Sequence, residues 1–224
     1  MGSKNKLKRF NENNTFLNVF QPKREELVAA VYPLKGQWNQ QFFKNNNPII
    51  LELGCGKGEY TVGLAKRYPN KNFIGIDIKG ARFWRGAKTA IEDKLPNVAF
   101  IRAQIELVES LFAVNEVAEI WITFPDPQIK YKRSKHRMTN ASFLKRYKNI
   151  LNTNGIVHLK TDSEFMHGYT LGVLHGEGHE VQYANHDVYR QEGSPDEVTA
   201  IQTFYENQYL ATQKAITYIR FKIN

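Results

Sequence analysis

Residues 48–59 read PIILELGCGKGE, and the reading of this stretch decides the fold. The apolar run 49–53, broken only by Glu52, has the character of a strand buried on both faces. Gly54, Gly56 and Gly58 follow at alternate positions and lead into a helix predicted over 57–68. Glycine permits a sharp turn and lets a ligand lie against bare backbone. The next apolar run, 72–78, contains Gly75-Ile76-Asp77, with Asp77 standing 23 residues after Gly54. An acid at the end of a second parallel strand can accept both hydroxyls of a ribose.

Outward from this core, apolar strands alternate with helical periodicities. Further strands are predicted at 97–101, 117–123 and 155–161, and helices at 81–93, 105–113, 140–151 and 163–175. The pattern predicts an α/β, Rossmann-like fold: a seven-stranded, mostly parallel sheet with helices on both faces. Residues 179–184 form a further strand, 185–202 a polar loop, and 216–223 an antiparallel closing strand. The turn Asn45-Asn46-Asn47-Pro48 marks a boundary. It divides the chain into a basic N-terminal arm and packing segment, 1–47, and the α/β domain, 48–224. Residues 1–14 hold Lys4, Lys6, Lys8 and Arg9 among four asparagines and read as a flexible arm. A helix is expected near 23–31, with Phe16, Phe20, Tyr32, Trp38, Phe42 and Phe43 packing on the domain.

The 224 residues are 42% hydrophobic, enough for a core, and carry a net charge of +9 from 31 Lys+Arg against 22 Asp+Glu. That excess favours an anionic partner, nucleic acid first, over a merely basic enzyme if the cations cluster. No apolar run is long enough to span a bilayer, and the polar N-terminus lacks the apolar stretch of a secretory signal. A lone Cys55 excludes an intrachain disulfide framework and points to a reducing, cytoplasmic compartment. His175 and His179 have a spacing that could offer two metal ligands on a helix. Gly176 and Gly178 interrupt any such helix, so no metal is expected.

Glu52 narrows the ligand. A carboxylate beside the glycine loop repels a pyrophosphate and welcomes a cation. S-adenosylmethionine, with a ribose, an ammonium, a sulfonium and no phosphate, suits Glu52, Gly54, Gly56, Gly58 and Asp77. The plainer alternative is a glycine turn needed for packing, with Asp77 capping a helix. Cys55, between two glycines, reads as a small packing residue.

A second constellation lies at 121–137, WITFPDPQIKYKRSKHR. Asp126 sits between Pro125 and Pro127 at a strand end, where the prolines restrict its backbone. The cations Lys130, Lys132, Arg133, Lys135 and Arg137 follow at once, with His136 and with Tyr131 able to stack on an unpaired base. This run is either a phosphate-binding surface or a solvated face, and Asp126 either serves chemistry or closes a turn.

Together, ELGCGKG (52 is its Glu), GIDI at 75–78, FPDPxxK with its basic tail, LKTD at 159–162 and TFYE at 203–206 resemble the bacterial tRNA (guanine-N7)-methyltransferases. The resemblance runs over about 48–223. It implies a class I methyltransferase that transfers a methyl group from S-adenosylmethionine to N7 of guanosine in tRNA, at position 46 of the variable loop. It implies that Glu52 and Asp77 hold the methionine end and the ribose, and that Gln104 stands at the adenine. Asp126 would border both cofactor and guanine, Lys130 would contact substrate, and Asp162 with Thr203, Phe204, Tyr205 and Glu206 would line the guanosine pocket. The chain departs from the family at Gln128 and Ile129, where an aromatic and His or Pro are common, and carries Asp77 and Gln104 where Glu and often an acid occur. The competing readings are a methyltransferase for another RNA or a small molecule, and a catalytically silent RNA-binding relative. The expected partner is tRNA, with no membrane or metal, in a monomer or homodimer.

Guanine N7 has a free lone pair and needs no proton removed. Orientation is therefore the main requirement. A carboxylate could also stabilise the cationic product, and Asp126 is the candidate. It could instead hold the guanine N1/N2 edge or the cofactor ammonium.

Overall fold

The computed structural model describes residues 3–224. Its elements in chain order begin with helix α1 (Ser3–Glu12), strand β1 (Val19–Phe20), helix α2 (Arg24–Val28) and strand β2 (Ile49–Leu53). Next come α3 (Glu59–Arg67), β3 (Asn72–Ile76), α4 (Gly80–Glu92), β4 (Val98–Ile101) and α5 (Val108–Leu111). Then follow β5 (Val117–Thr123), α6 (Ala141–Ile150), β6 (Leu151–Thr161), α7 (Glu164–Gly176) and β7 (Glu180–Asn185). The chain closes with α8 (Asp196–Thr199), α9 (Phe204–Ala211) and β8 (Thr217–Lys222).

The strands form an eight-stranded sheet in the order β1-β4-β3-β2-β5-β6-β8-β7. All neighbours from β1 to β6 are parallel, while β8 runs antiparallel to both β6 and β7. The fold class is as the sequence predicts, with one strand more: β1 adds an edge by pairing Val19 with Phe100 and Phe20 with Ile101. Every residue of β2, β3 and β4 is buried, as a sheet covered on both faces requires. The parallel strands therefore bring their C-terminal ends to one edge, where an open α/β sheet binds its ligands.

The largest correction concerns the N-terminus. The sequence predicts a flexible arm over 1–14, whose first two residues lie outside the described ones; residues 3–12 are helix α1. Its polar sequence lacks an apolar stripe, but Glu12 accepts from Trp84 Nε1 at 2.9 Å and pairs with Lys88 at 3.6 Å. The Arg9 guanidinium also lies over the Trp84 ring at 4.7 Å. A short helix gains its order from packing, here against α4. The aromatic segment packs inward: Trp38 is fully buried, stacks on Phe112 and donates to Leu111 O. Two smaller differences are local. The helix after the glycine loop begins at Glu59, later than predicted, because Gly58 takes a left-handed φ of 73°. The polar loop 185–202 contains α8.

Candidate active site

The glycine loop joins β2 to α3 at the ligand-binding edge. Gly54 and Cys55 both donate to Ile76 O, at 2.8 and 3.1 Å, which docks the loop onto the end of β3. Gly58 is there for close approach: a Cβ would come within 2.5 Å of the Phe100 ring. Gly54 and Gly56 leave open space instead. A Cβ on Gly54 would meet only Met138, at 3.9 Å, and one on Gly56 only Gly54 O, at 4.0 Å. Bare backbone thus faces an open cradle flanked by two carboxylates, which fits a cationic nucleoside ligand and opposes a pyrophosphate. Cys55 is buried, and burial pushes its thiol pKa well up, which suits the packing role.

The two carboxylates are held differently. Glu52 is 3% exposed. Its Oε2 accepts from the Thr61 amide at 2.8 Å and from the Thr61 hydroxyl, and its Oε1 accepts from the Thr123 hydroxyl at 2.6 Å. Burial raises its pKa to about 7, against the hydrogen bonds from Thr123 and Thr61, with the Asp77 charge adding to the rise. Asp77 lies at the end of β3. Its Oδ2 accepts from Gly56 N at 3.0 Å and its Oδ1 from Lys79 N at 2.7 Å. Ile78 beside it is half-exposed. Gln104, past β4, accepts from Arg24 Nε at 3.1 Å through its side-chain oxygen.

Beyond the end of β5, the Pro-Asp-Pro turn is flanked by two left-handed, non-glycine residues, Phe124 at φ 48° and Gln128 at φ 47°. Such conformations cost free energy and persist where the surroundings enforce them. Here Phe124 N donates to Lys160 O at 2.8 Å, and Gln128 N donates to Asp126 Oδ1 at 3.0 Å. From the other side, Arg137 donates to the carbonyls of Gln128 and Ile129, both at 3.2 Å. Asp126 itself is exposed and lines a cavity of about 570 Å³ with Phe124, Asp162, Tyr209 and Lys214. That volume is in the range of small-ligand clefts, roughly 300–1,000 Å³. Asp162 pairs across it with Lys214. Helix α7 is capped by the next residue, Ser163, whose hydroxyl accepts from Met166 N.

Thr203 to Glu206 form the start of α9. Thr203 caps the helix and Glu206 returns the bond to Thr203 N at 3.2 Å. Glu206 is fully buried, 2.6 Å from the Lys160 ammonium, and accepts from the Tyr189 hydroxyl at 2.7 Å. Lys160 also donates to the carbonyls of Val198 and Ile201, so the end of β6 holds both α8 and α9. Desolvation lowers the Lys160 pKa, and the Glu206 charge opposes that fall. Phe204 and Tyr205 are exposed. The Lys57 ammonium lies 3.4 Å from the centre of the Phe204 ring, and Phe204 N donates to Glu59 at 3.0 Å. The glycine loop and the TFYE segment are therefore in direct contact.

The basic run forms a short 3-10 turn, Tyr131–His136. Lys130, Lys132, Arg133 and Lys135 are exposed, and none pairs with a carboxylate among the described residues. Tyr131 is 90% exposed. Arg137 lies apart from them. It is buried, and its guanidinium sits over Phe165 and Tyr169 at 4.8 and 4.5 Å, where it braces the Asp126 turn. His175 and His179 fall on either side of the left-handed Gly178, and His179 Nδ1 accepts from Asn224 N. Among the described residues no three His, Cys, Asp or Glu are grouped to hold a metal, and no helix is long and apolar enough to cross a membrane.

Several residues of the site escape a reading of the sequence: Lys57, Glu59, Thr61, Thr123 and Lys160. Only Lys160 carried a signal. A lysine inside an apolar strand needs a partner, and a carboxylate elsewhere in the chain had to supply it.

The parallel sheet with its antiparallel last strand, the open glycine cradle and the acid ending β3 define a class I S-adenosylmethionine-dependent methyltransferase. Solved structures share the fold. A 16S rRNA methyltransferase, KamB, aligns with TM-score 0.63 at 13% identity over 83% of this chain and 92% of its own. An antibiotic-related methyltransferase aligns with TM-score 0.61 at 18% identity over 85% and 94%. A family model described as a putative methyltransferase matches residues 46–219. Among curated relatives, the tRNA (guanine-N(7)-)-methyltransferase of Christiangramia forsetii is 74% identical, with 100% of each chain covered. That of Porphyromonas gingivalis is 50% identical over 92% of this chain and 85% of its own. The chain belongs to the tRNA (guanine-N7)-methyltransferase family.

Proposed function

We propose that this chain transfers a methyl group from S-adenosylmethionine to N7 of guanosine in tRNA, and that the target is position 46 of the variable loop. The observation that carries the reading is the position of Asp126. It stands exposed at the end of β5, between the glycine cradle at the neighbouring β2 and a run of unpaired cations.

When bound, S-adenosylmethionine supplies an electrophilic methyl on a cationic sulfur. With that group held by Glu52, the Gly54–Gly56 turn and Asp77, the free lone pair of guanine N7 would take the methyl as the sulfur–methyl bond gave way, leaving a neutral thioether on the cofactor and the positive charge on guanine. No proton needs removal first, so the chain's work is orientation and charge. Asp77 accepts from the ribose hydroxyls, and the bare-backbone turn at Gly54–Gly56 takes the methionine end with Glu52 behind it. Asp126 offsets the charge that grows on guanine. Asp162 and the first turn of α9 wall the guanosine pocket, and Lys130 meets the substrate beside Asp126. Lys132, Arg133 and Lys135 take RNA phosphates. The compartment is the cytoplasm, consistent with a single, buried cysteine, and the chain acts as a monomer or homodimer.

The test is incubation with unmodified tRNA and labelled cofactor, followed by nucleoside mass spectrometry. 7-Methylguanosine is expected from wild-type tRNA and not from tRNA with adenosine at position 46. Label in another nucleoside, or none despite cofactor binding by calorimetry, would favour another substrate or a silent binder.

A further inference from the structure

A second cavity lies on the ligand-binding edge, away from Asp126. It measures about 590 Å³ and lies between α1 and the region from the end of β3 into the first turn of α4. Lys6, Arg9, Lys79, Arg82 and Arg102 line it, and no Asp or Glu does. None of the five pairs with a carboxylate among the described residues. Five unneutralised cations around one hollow repel one another unless an anion joins them.

Two of the five are braced by aromatic rings. Arg9 lies over Trp84 at 4.7 Å and Arg102 over Phe10 at 4.8 Å. A guanidinium stacked in this way is pre-oriented, and Arg102 is further fixed by donating through Nε to Ile78 O at 3.4 Å. The floor adds to the field. Gly80, Ala81 and Arg82 form the first turn of α4, a helix of 13 residues with no acid in that turn. The Arg82 amide is taken up by Lys79 O at 2.8 Å, and the dipole of the helix favours a phosphate at the remaining amides of the turn. Leu7 and Ile78, both exposed apolar side chains, border the same hollow and suit the sugar and base faces of a nucleotide chain.

We infer that this α1–α4 cleft binds the phosphate backbone of the tRNA, as a second contact distinct from the Lys130–Lys135 run; the inference rests on tRNA being the substrate. β4, which presents Arg102, is separated from β5 by β3 and β2. Three strand spacings of about 4.8 Å put the two cationic sites roughly 14 Å apart or more along the edge. One RNA crossing the edge meets both, with the glycine cradle at the end of β2 between them and the methyl-acceptor cleft beside the Lys130–Lys135 run. Helix α1 is then a clamp on the RNA body, and its packing on α4 is what builds the cleft.

The test compares salt dependence of tRNA binding, by fluorescence anisotropy, in wild type, Lys6→Gln/Arg82→Gln, and Lys132→Gln/Arg133→Gln/Lys135→Gln. Lys6 and Arg82 are exposed, so their replacement leaves the fold in place. Removing one cation from its phosphate lowers the slope of log K against log salt by about 0.7–0.9. The double variant is therefore expected to lower it by about 1.4–1.8, with S-adenosylmethionine affinity unchanged. The charge-keeping Lys6→Arg/Arg82→Lys is expected to retain the wild-type slope. An unchanged slope in the double variant, with a reduced one in the triple variant, overturns the cleft while leaving tRNA as substrate. Loss of cofactor affinity in the double variant assigns the cleft to the cofactor and also overturns the inference. Absence of tRNA binding by wild type removes the substrate reading itself.

Discussion

Glu52 and Asp126 belong to neighbouring parallel strands and have opposite surroundings. Glu52, within β2, is buried, saturated by Thr61 and Thr123, and holds a raised pKa. Asp126, just past β5, is exposed and accepts one bond, from Gln128 N. The cofactor side is finished before anything binds. The side that meets RNA leaves its carboxylate and its cations open and concentrates its order in the backbone: two left-handed residues hold the turn from which Asp126 projects. A small, invariant ligand rewards a preformed site. A large polyanion rewards exposed charge on a braced loop, because attraction to phosphate is long-range and needs little burial.

The sharpest way to break this contrast is Lys160. With Glu206 it forms the one ion pair on the RNA side that is fully buried among the described residues, and it fixes the TFYE segment to β6. Lys160→Met leaves Glu206 buried without its cation and is expected to cost about 3–5 kcal/mol in urea unfolding. Replacing both residues with apolar ones should recover much of that stability. A loss below ~1 kcal/mol would mean that the wall is held by α9 packing alone.

Next in size is Asp126. Asp126→Asn keeps the shape and removes the charge, so the single-turnover methylation rate should fall about 10²-fold or more, with tRNA affinity little changed. A wild-type rate would leave Asp126 as a turn residue and orientation as the whole of catalysis. On the cofactor side, Asp77→Ala is expected to weaken S-adenosylmethionine binding by about 1–3 kcal/mol, as for polar groups deprived of a partner. Calorimetry that finds equal affinity would take Asp77 out of the ribose site.

The smallest effect is a pH dependence. Glu52 ionises near 7 when folded, above its ordinary value of 4.5, so the native state retains a proton that the unfolded chain releases between those limits. Its contribution to stability is therefore full at low pH and declines as pH rises from about 4.5 to about 7. Glu52→Gln keeps the bond from the Thr61 amide and should flatten that part of the stability profile. A cation beside Glu52 favours its ionised form, so binding of S-adenosylmethionine should release protons near pH 7 in wild type and not in Glu52→Gln. Calorimetry in buffers of different ionisation enthalpy measures this; equal proton release in both proteins would detach Glu52 from the cofactor.

The parallel sheet, the glycine turn and the acid at the end of β3 are legible in the sequence because each is a local demand. Alternating runs report burial, and glycine reports backbone that other residues cannot follow. Asp126 between its prolines is legible for the same reason. Tertiary structure alone decided the rest. Whether Glu52 faces ligand or is saturated depends on Thr61 and Thr123 arriving from α3 and β5. Arg137 turns inward from a run that looks uniform, because the carbonyls of Gln128 and Ile129 and the rings of Phe165 and Tyr169 are there to receive it. Residues 3–12 are held as a helix by packing on α4, where Trp84 and Lys88 take up Glu12 and Arg9 stacks on Trp84. Lys160 and Glu206 lie 46 residues apart in sequence and meet where β6 and α9 bury them together. A local pattern encodes what the backbone does; which side chains are paired, and which stay free for a ligand, follows from contacts between distant segments that burial makes compulsory.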